Sequence, residues 1–322
     1  MRDESDAMKH LLSKLASLVG LVFVFVLFTV LQPAKFPTAE NMEIMLLQTA
    51  VVGTAALGMT LVIMSGGIDL SVGSVIALST VVIALLLNVG AAPAFAAMGG
   101  IGVGALCGLL IGFIVTRAKL PSFIVTLGMW GALRGAAKGL AGEQMIAAPN
   151  TWLNKLLNTL TDNQRWMLVP PGVWMMAVLA LIVGGMLHFT RRGRYIVAVG
   201  SNEEAARLSG VSVDRTKLSV YILGSTFAAI AGVLQFSYLT VGDPTTATGM
   251  ELDVIAAVVI GGGSLAGGRG SVFGSLVGAL IMTIVGNGCT KMELPNWVQE
   301  IVTGLIIVVA VMLDRLRHRR SG

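Results

Sequence analysis

Two glycine-rich sequences interrupt long apolar stretches and bring polar groups to the points where those stretches end. Residues 66–73 read GGIDLSVG and residues 261–268 read GGGSLAGG, so both follow the frame G-G-x-x-L-x-x-G. Unwound backbone at membrane depth is tolerated only where protein buries it or where it lines a watery cavity. Paired glycine interruptions in two parts of a chain therefore indicate a transport path. Tight turns at the cytoplasmic membrane surface explain the same residues, and both interpretations remain open.

Asp69 is the most informative single charge because it directly follows a long apolar stretch. An ionisable group beside a membrane span is costly and is functional by default. A structural role is the favoured interpretation: Asp69 would cap a helix that starts at Leu70 by accepting hydrogen bonds from its first amides. Glu251, Asp253 and Glu300 carry the same ambiguity, and a position at the outer mouth facing water would explain them.

Residues 201–210 form a short segment with helix signals at both ends, in the most charged part of the chain. Ser201 and Glu204 match the S-x-x-E capping box, and Gly210 suits the left-handed residue that closes a helix. So short a helix is not stable alone in water, so the membrane domain or a partner must hold it. Its small apolar face, predicted from Ala205, Ala206 and Leu208, suits a groove on another protein, and a purely structural linker helix is the alternative.

The composition of the chain indicates what class of protein must position these groups. The chain has 322 residues, of which 55% are hydrophobic and 12% charged. Soluble domains carry roughly 25% charged residues, so a disordered chain is excluded and a soluble enzyme is disfavoured. The two cysteines lie in apolar stretches, no metal-ligand cluster is apparent, and no nucleophile–base constellation indicates catalysis. The net charge of +5 does not indicate nucleic acid, because the basic residues stand at the ends of hydrophobic runs.

Crossing a bilayer takes about 20 mostly apolar residues per helix. The sequence predicts an all-α polytopic membrane protein with about ten transmembrane helices, some interrupted by glycine. The first span is retained rather than cleaved as a signal peptide, because QPAK is a poor cleavage site. The predicted spans are residues 15–34, 44–68, two within 70–116 separated by a turn at 88–93, 121–141, 167–190, 218–239, 254–263, 271–288 and 295–313.

Most of the 22 Lys and Arg residues fall in alternate connections, which places both termini in the cytoplasm by the positive-inside rule. The inner segments are residues 1–14, the loop 191–217 and the basic tail 314–322, all within one permease domain spanning 1–322. The polar segment 142–165 is the longest predicted outer loop.

Glycines recur every four residues in three of the spans. On a helix this spacing lines one face with bare backbone and lets a neighbouring helix approach closely. Packing is the favoured explanation, and sliding of these faces between transport states is the functional alternative. The rows are Gly100, Gly104, Gly108 and Gly112; Gly131, Gly135 and Gly139; and Gly270, Gly274 and Gly278.

Three sequences resemble bacterial ATP-binding-cassette (ABC) permeases for ribose, xylose, arabinose and galactosides. They are SGGIDLSVGSVIALS, RRGRYIVAVGSNEEAARLSGVSVDRTK and ELDVIAAVVIGGGSLAGGRGSVFGSLVGAL, and the resemblance extends over nearly the whole chain. It implies an importer subunit of the bacterial inner membrane. It also implies that residues 202–210 are a coupling helix inserted into a cleft of the ATP-hydrolysing subunit. The coupling residues are Ser201, Asn202, Glu203, Glu204, Ala205, Ala206, Arg207, Leu208 and Gly210.

The resemblance also implies an ABC ATPase, an external sugar-binding protein and a second permease copy as partners, in a lipid membrane. The chain contains no G-x-x-x-x-G-K-[ST] sequence, so ATP and Mg²⁺ are expected on the ATPase rather than here. A neutral sugar needs few hydrogen-bonding groups along its path. The residues predicted to line that path are Gln48, Gly66, Gly67, Asp69, Ser71, Gln235, Gly261, Gly262, Gly263 and Asn287.

Two alternatives remain at this point. One is a secondary transporter driven by protons or ions, with Asp69 or Glu300 as the titrating group. The other stays within the ABC class but moves branched-chain amino acids or a signalling furanoside.

Overall fold

The computed structural model of the protein describes the backbone of residues 2–319, without the side chains of 2–16, 162, 165 and 313–319. The side chains of the predicted cytoplasmic ends, 1–14 and 314–322, therefore lie outside the described residues. Over this range the chain forms twelve α-helices and one pair of two-residue strands. The predicted all-α class is confirmed.

The helices are Arg2–Leu31 (α1), Ala39–Met64 (α2), Val72–Asn88 (α3), Pro93–Arg117 (α4), Ser122–Ala141 (α5), Pro171–Phe189 (α6), Arg191–Ser201 (α7), Glu203–Leu208 (α8), Val213–Leu239 (α9), Met250–Ile260 (α10), Val272–Lys291 (α11) and Asn296–Arg319 (α12). Strands Ile146–Ala147 (β1) and Val241–Gly242 (β2) pair antiparallel. Two 3-10 helices, Trp152–Lys155 and Asp162–Met167, lie in the predicted outer loop.

In the described part of the chain, five helices are long and apolar enough to cross a membrane: α2, α4, α6, α9 and α11. Shorter apolar segments lie in α1, α3 and α12. The protein is thus a polytopic membrane protein. Proline at the first position of α4 and of α6 favours helix initiation there, because its missing N–H has no partner in the first turn.

The core is built around α2. This helix is apolar on all sides, which is the pattern of a helix surrounded by other helices. From Thr49 to Met64 every residue of α2 is buried, and the helix contacts α6, α9, α10 and α11. Beside it, α4 packs along α9, and α3 fits against both.

Helix boundaries differ from the predicted spans at the glycine breaks. The second span was expected to reach residue 68, but α2 ends at Met64 because Gly66 adopts a left-handed φ of 82°. The eighth span was predicted at 254–263, whereas α10 covers Met250–Ile260. It is preceded by residues 240–249, which are not helical.

Candidate coupling surface and translocation path

The two glycine breaks lie against each other. Gly268 donates its backbone N–H to the carbonyl of Met64, the last residue of α2, at 3.0 Å. A Cβ on Gly267 would lie 3.0 Å from the Cα of Gly66. The sequence frame shared by the two breaks therefore belongs to segments that touch in space.

The charged helix α7 ends on this contact. A Cβ on Gly200 would collide with the Met64 carbonyl and would lie 2.7 Å from the Gly268 nitrogen. Only a glycine fits here without displacing backbone of both breaks. We call the contact between residues 64–67, 267–268 and Gly200 the glycine junction. It joins the predicted coupling segment directly to both breaks.

The predicted coupling helix is present as α8, but its cap differs from the prediction. Asn202, not Ser201, is the N-cap: its Oδ1 accepts from the Ala205 N–H at 2.9 Å. Ser201 instead ends α7 and donates its hydroxyl to the Val197 carbonyl at 2.8 Å. The S-x-x-E pattern was misleading because α7 extends to Ser201 and leaves the extended backbone of a cap to Asn202. Gly210 has the predicted left-handed conformation, with φ of 83°.

The helix pair α7–α8 has one apolar side chain that packs in a small core and one that is exposed. Ala206 is buried against Val199 of α7 and Val213 of α9. Leu208, by contrast, is 89% exposed, the largest exposure among the large hydrophobic residues of the described chain. The predicted apolar face is therefore divided: Ala206 packs within this part of the chain, whereas Leu208 is exposed on its surface.

Charges fasten α8 to α9. Glu203 accepts from Lys217 Nζ at 2.6 Å and pairs with Arg207 at 3.3 Å. The hydrogen bond from Lys217, with a further contribution from Arg207, holds the pKa of Glu203 below its usual value. Glu203 thus joins the loop to α9, whereas Glu204, Ala205, Arg207 and Ser209 are exposed along with Leu208.

Asp69 is buried and does not cap a helix that starts at Leu70. The helix begins at Val72, and Asp69 Oδ1 accepts from the N–H and the hydroxyl of Ser71, at 2.8 and 2.6 Å. The first break is fixed to α5, since Ile68 N–H donates to Ser122 Oγ and Thr126 donates to the Ile68 carbonyl. The second carboxylate oxygen of Asp69 has no hydrogen-bond partner among the described residues.

The remaining predicted path residues make separate contacts. Asn287 forms a reciprocal amide pair with Asn41 at 2.9 and 3.0 Å, which joins α11 to α2. Gln235 of α9 donates to the Thr246 hydroxyl at 2.8 Å. Gln48 is half-buried in α2, in a different helix from either of them. In the second break Gly261 packs on Gly274, and Gly262 is left-handed with φ of 93°.

The sequence interpretation missed a buried polar group around α5. Arg134 is only 8% exposed and donates to the carbonyls of Pro244 and Thr246, at 3.0 and 2.6 Å. Glu251, for which exposure to water was one of two interpretations, is also only 8% exposed. The available signal was the run DPTTATG at 243–249, whose turn-forming residues precede α10 directly.

Two of the three glycine rows pack as predicted. The α4 row lies against α3 and α9, while Gly274 lies against Gly261 of the second break and Gly278 lies against Ala257 of α10. For the α5 row the prediction is wrong within the single chain: apart from the surrounding helix backbone, no atom of the described residues lies within 4 Å of a Cβ built on Gly131, Gly135 or Gly139. Among the described residues, no group of three His, Cys, Asp or Glu is placed to hold a metal ion.

The model of one protein family, described as the permease component of branched-chain amino acid transport systems, matches residues 41–311. The chain belongs to this permease family. It is 38% identical over 308 residues to the ribose import permease protein RbsC of Escherichia coli K12, covering 94% of each chain. It is 39% identical to the fructose import permease protein FrcC of Rhizobium meliloti, covering 92% of this chain and 84% of that one.

A third relative is the xylose transport system permease protein XylH of Escherichia coli K12, which is 34% identical and covers 94% of this chain. These relatives confirm the resemblance to sugar permeases. No solved structure matches the chain.

Proposed function

We propose that this chain is the membrane-spanning subunit of an ABC importer and forms the translocation path for a monosaccharide. Relatives named as ribose, fructose and xylose permeases support the sugar class. The observation that carries the mechanism is the glycine junction, since α7 contacts both glycine breaks through Gly200. Movement of the α7–α8 pair would therefore reach both breaks without an intermediate element.

The topology we propose has ten crossings with both ends in the bacterial cytoplasm. The crossings are α1 to α6, α9, α10 together with the non-helical residues before it, α11 and α12. The distribution of basic residues supports this orientation, with α7 and α8 in the cytoplasm. The junction then lies at the cytoplasmic side and the sheet of β1 and β2 at the outer side.

The partners follow from this arrangement. An ATPase subunit would bind ATP and Mg²⁺ and would receive Leu208 and its exposed neighbours in a groove, as apolar helix anchors are usually received. A sugar-binding protein would deliver the solute from outside. A second permease copy would complete the path within the lipid of the inner membrane.

Reconstitution tests the proposal. Proteoliposomes would contain the purified chain with its ATPase and binding protein, and uptake of radiolabelled D-ribose, D-xylose, D-fructose and L-leucine would be measured with and without ATP. We expect uptake of at least one sugar that requires both ATP and the ATPase. Equal uptake without the ATPase contradicts the proposal, and uptake of leucine alone selects the amino acid alternative.

A substitution at Leu208 tests the docking role directly. Since its side chain is 89% exposed, Leu208→Asp removes no core contact and should abolish co-purification of the ATPase while the chain stays folded. Leu168, which is 79% exposed in the segment before α6, offers the same chemical change at the proposed outer end. Leu168→Asp should leave ATPase binding unchanged. Retained ATPase binding by Leu208→Asp would exclude this residue as the anchor.

Proton-coupled transport is the second candidate, and the buried Asp69 with one unpaired carboxylate oxygen favours it. It predicts sugar uptake into ATP-free vesicles that a pH gradient drives and that Asp69→Asn abolishes. Sugar uptake that does not depend on the pH gradient excludes proton-coupled transport.

A further inference from the structure

The non-helical residues 240–249 enter the helix bundle alongside α3. At one end, a Cβ on Gly242 would lie 2.6 Å from the Cβ of Ala84. Midway, Asp243 donates its N–H to Thr80 at 3.2 Å. At the other end, the Ala247 carbonyl lies against Gly73, the second residue of α3. The segment thus follows α3 over most of its length and ends where the short helix α10 begins.

Arg134 holds this segment from the side of α5. Its Nη1 donates to two carbonyls, of Pro244 and Thr246, that no helix satisfies. Irregular backbone within a bundle needs such partners, because an unsatisfied peptide group in an apolar medium costs several kcal/mol. This contact gives hydrogen-bond partners to one nitrogen of the guanidinium group, Nη1. It gives none to the other two nitrogens.

Several buried polar atoms around Arg134 have no hydrogen-bond partner in the described protein. They are Arg134 Nε and Nη2, Glu251 Oε2 and Trp130 Nε1. Arg134 and Glu251 are each more than nine-tenths buried. The Trp130 indole faces the Glu251 carboxylate, yet no well-formed hydrogen bond joins them. A cluster that served packing alone would satisfy these groups, since buried polar groups without partners are rare.

The chemistry of these atoms selects a class of ligand. The guanidinium and indole groups donate, the carboxylate accepts, and the paired Gln235 and Thr246 lie beside them with their own amide and hydroxyl. A sugar hydroxyl both donates and accepts, so adjacent hydroxyls match a mixed set of this kind. A cation would be opposed by Arg134 and an anion by Glu251. An apolar side chain would leave every one of these groups without a partner.

Trp130 is only half-buried, so one edge of the cluster reaches the surface of the single chain.

We propose that Trp130, Arg134, Gln235, Thr246 and Glu251 form a hydroxyl-binding station on the translocation path. This inference rests on the proposed function, because it names where the transported sugar touches the permease. The station is distinct from the glycine junction, which transmits movement and carries no free donor–acceptor pair of this kind in the described residues.

The test uses the complete reconstituted transporter and whichever of D-ribose, D-xylose and D-fructose it takes up. Two variants are compared with the unmodified protein, Glu251→Gln and Trp130→Phe; the latter removes the indole N–H and keeps an aromatic ring. The quantity measured is the number of sugar molecules moved per ATP hydrolysed. We expect this ratio to fall about tenfold in Glu251→Gln, the effect of losing a hydrogen bond to a buried charge. A smaller fall is expected in Trp130→Phe.

Ser225→Ala is the matched control, because the Ser225 hydroxyl is also buried and without a partner but lies on α9 against α4. Its ratio should equal that of the unmodified protein. If uptake and ATP hydrolysis fall in proportion in both station variants, the cluster is structural and the inference is wrong. If Glu251→Gln does not fold, an unchanged ratio in Trp130→Phe overturns the inference by itself. If the unmodified transporter moves none of the sugars, the proposed function fails and the station fails with it.

Discussion

Helices α4 and α5 carry glycine rows of the same spacing in opposite surroundings. The α4 row is covered along its length: a Cβ on Gly108 would collide with the Tyr221 carbonyl and lie 2.8 Å from the Cα of Ile222. The α5 row faces open space in the single chain. On α5 the buried face is the opposite one, which carries Arg134. Spacing therefore predicts that a helix face is bare but does not predict what covers it.

The largest loss of stability is expected for Gly108→Leu. The neighbours of Gly108 are backbone atoms of α9, which cannot rotate away, so the new side chain must separate α4 from α9. Overpacking costs 1–3 kcal/mol and occasionally more, and we expect about 3 kcal/mol or a loss of folded protein here. Thermal unfolding in detergent, followed by size-exclusion chromatography, measures it. Normal stability would show that the α4–α9 contact is not rigid.

A smaller loss is expected for Gly104→Ala. One methyl group would meet the Ala229 side chain and lie 2.8 Å from the Ser225 carbonyl. We expect destabilisation of about 1–2 kcal/mol, since a single methyl requires a smaller shift than leucine. The same unfolding measurement applies, and a gain in stability would contradict the packing described for α4.

On α5 the change in stability should have the opposite sign. Gly131→Ala meets no atom and replaces a poor helix former, so it should stabilise the isolated chain by up to about 1 kcal/mol. Gly135→Leu should likewise leave the isolated chain folded. In the assembled transporter the same leucine distinguishes two cases: unchanged assembly means that lipid covers this face, and lost assembly means that a protein partner does.

The smallest effect on stability is expected at the end of the α4–α9 contact that lies nearest to α8. Lys217 pairs with Glu203 and directly precedes Leu218, which packs on Gly112. The Glu203 side chain is 43% exposed, so Glu203→Gln should cost less than about 1 kcal/mol near neutral pH. Because the pKa of Glu203 is lowered by Lys217, the contribution is present above the usual pKa of 4.5 and is lost as the pH falls below it. A difference from the unmodified protein that stays constant down to pH 3 would contradict this.

Much of the architecture was predictable because local patterns determine it. Long apolar runs predicted the membrane helices, and Gly210 predicted the end of α8. The errors arose where two local signals compete. Ser201 and Asn202 are both good caps, and the extent of α7 decides between them. Asp69 was predicted to cap a helix that starts at Leu70. Instead, its Oδ1 accepts hydrogen bonds from the N–H and the hydroxyl of Ser71, which precedes the helix.

The candidate site was less predictable. The two glycine breaks are almost 200 residues apart, and the sequence shows their likeness but not their contact. In the sequence, Arg134 is only one charge within the predicted span 121–141. Its burial depends on carbonyls supplied by Pro244 and Thr246, which lie 110 and 112 residues further along the chain.

The sequence alone determined that this chain crosses a membrane in helices, that glycine breaks two of its apolar stretches, and that a short charged helix lies between two spans. These properties depend on hydrophobicity and backbone preference, which act over a few residues. Only the tertiary structure decided that Gly200 contacts both breaks, that the α4 row is covered and the α5 row is not, and that Arg134 and Glu251 share one buried cluster. These depend on which helices pack together, and complementary shape between segments distant in sequence decides that.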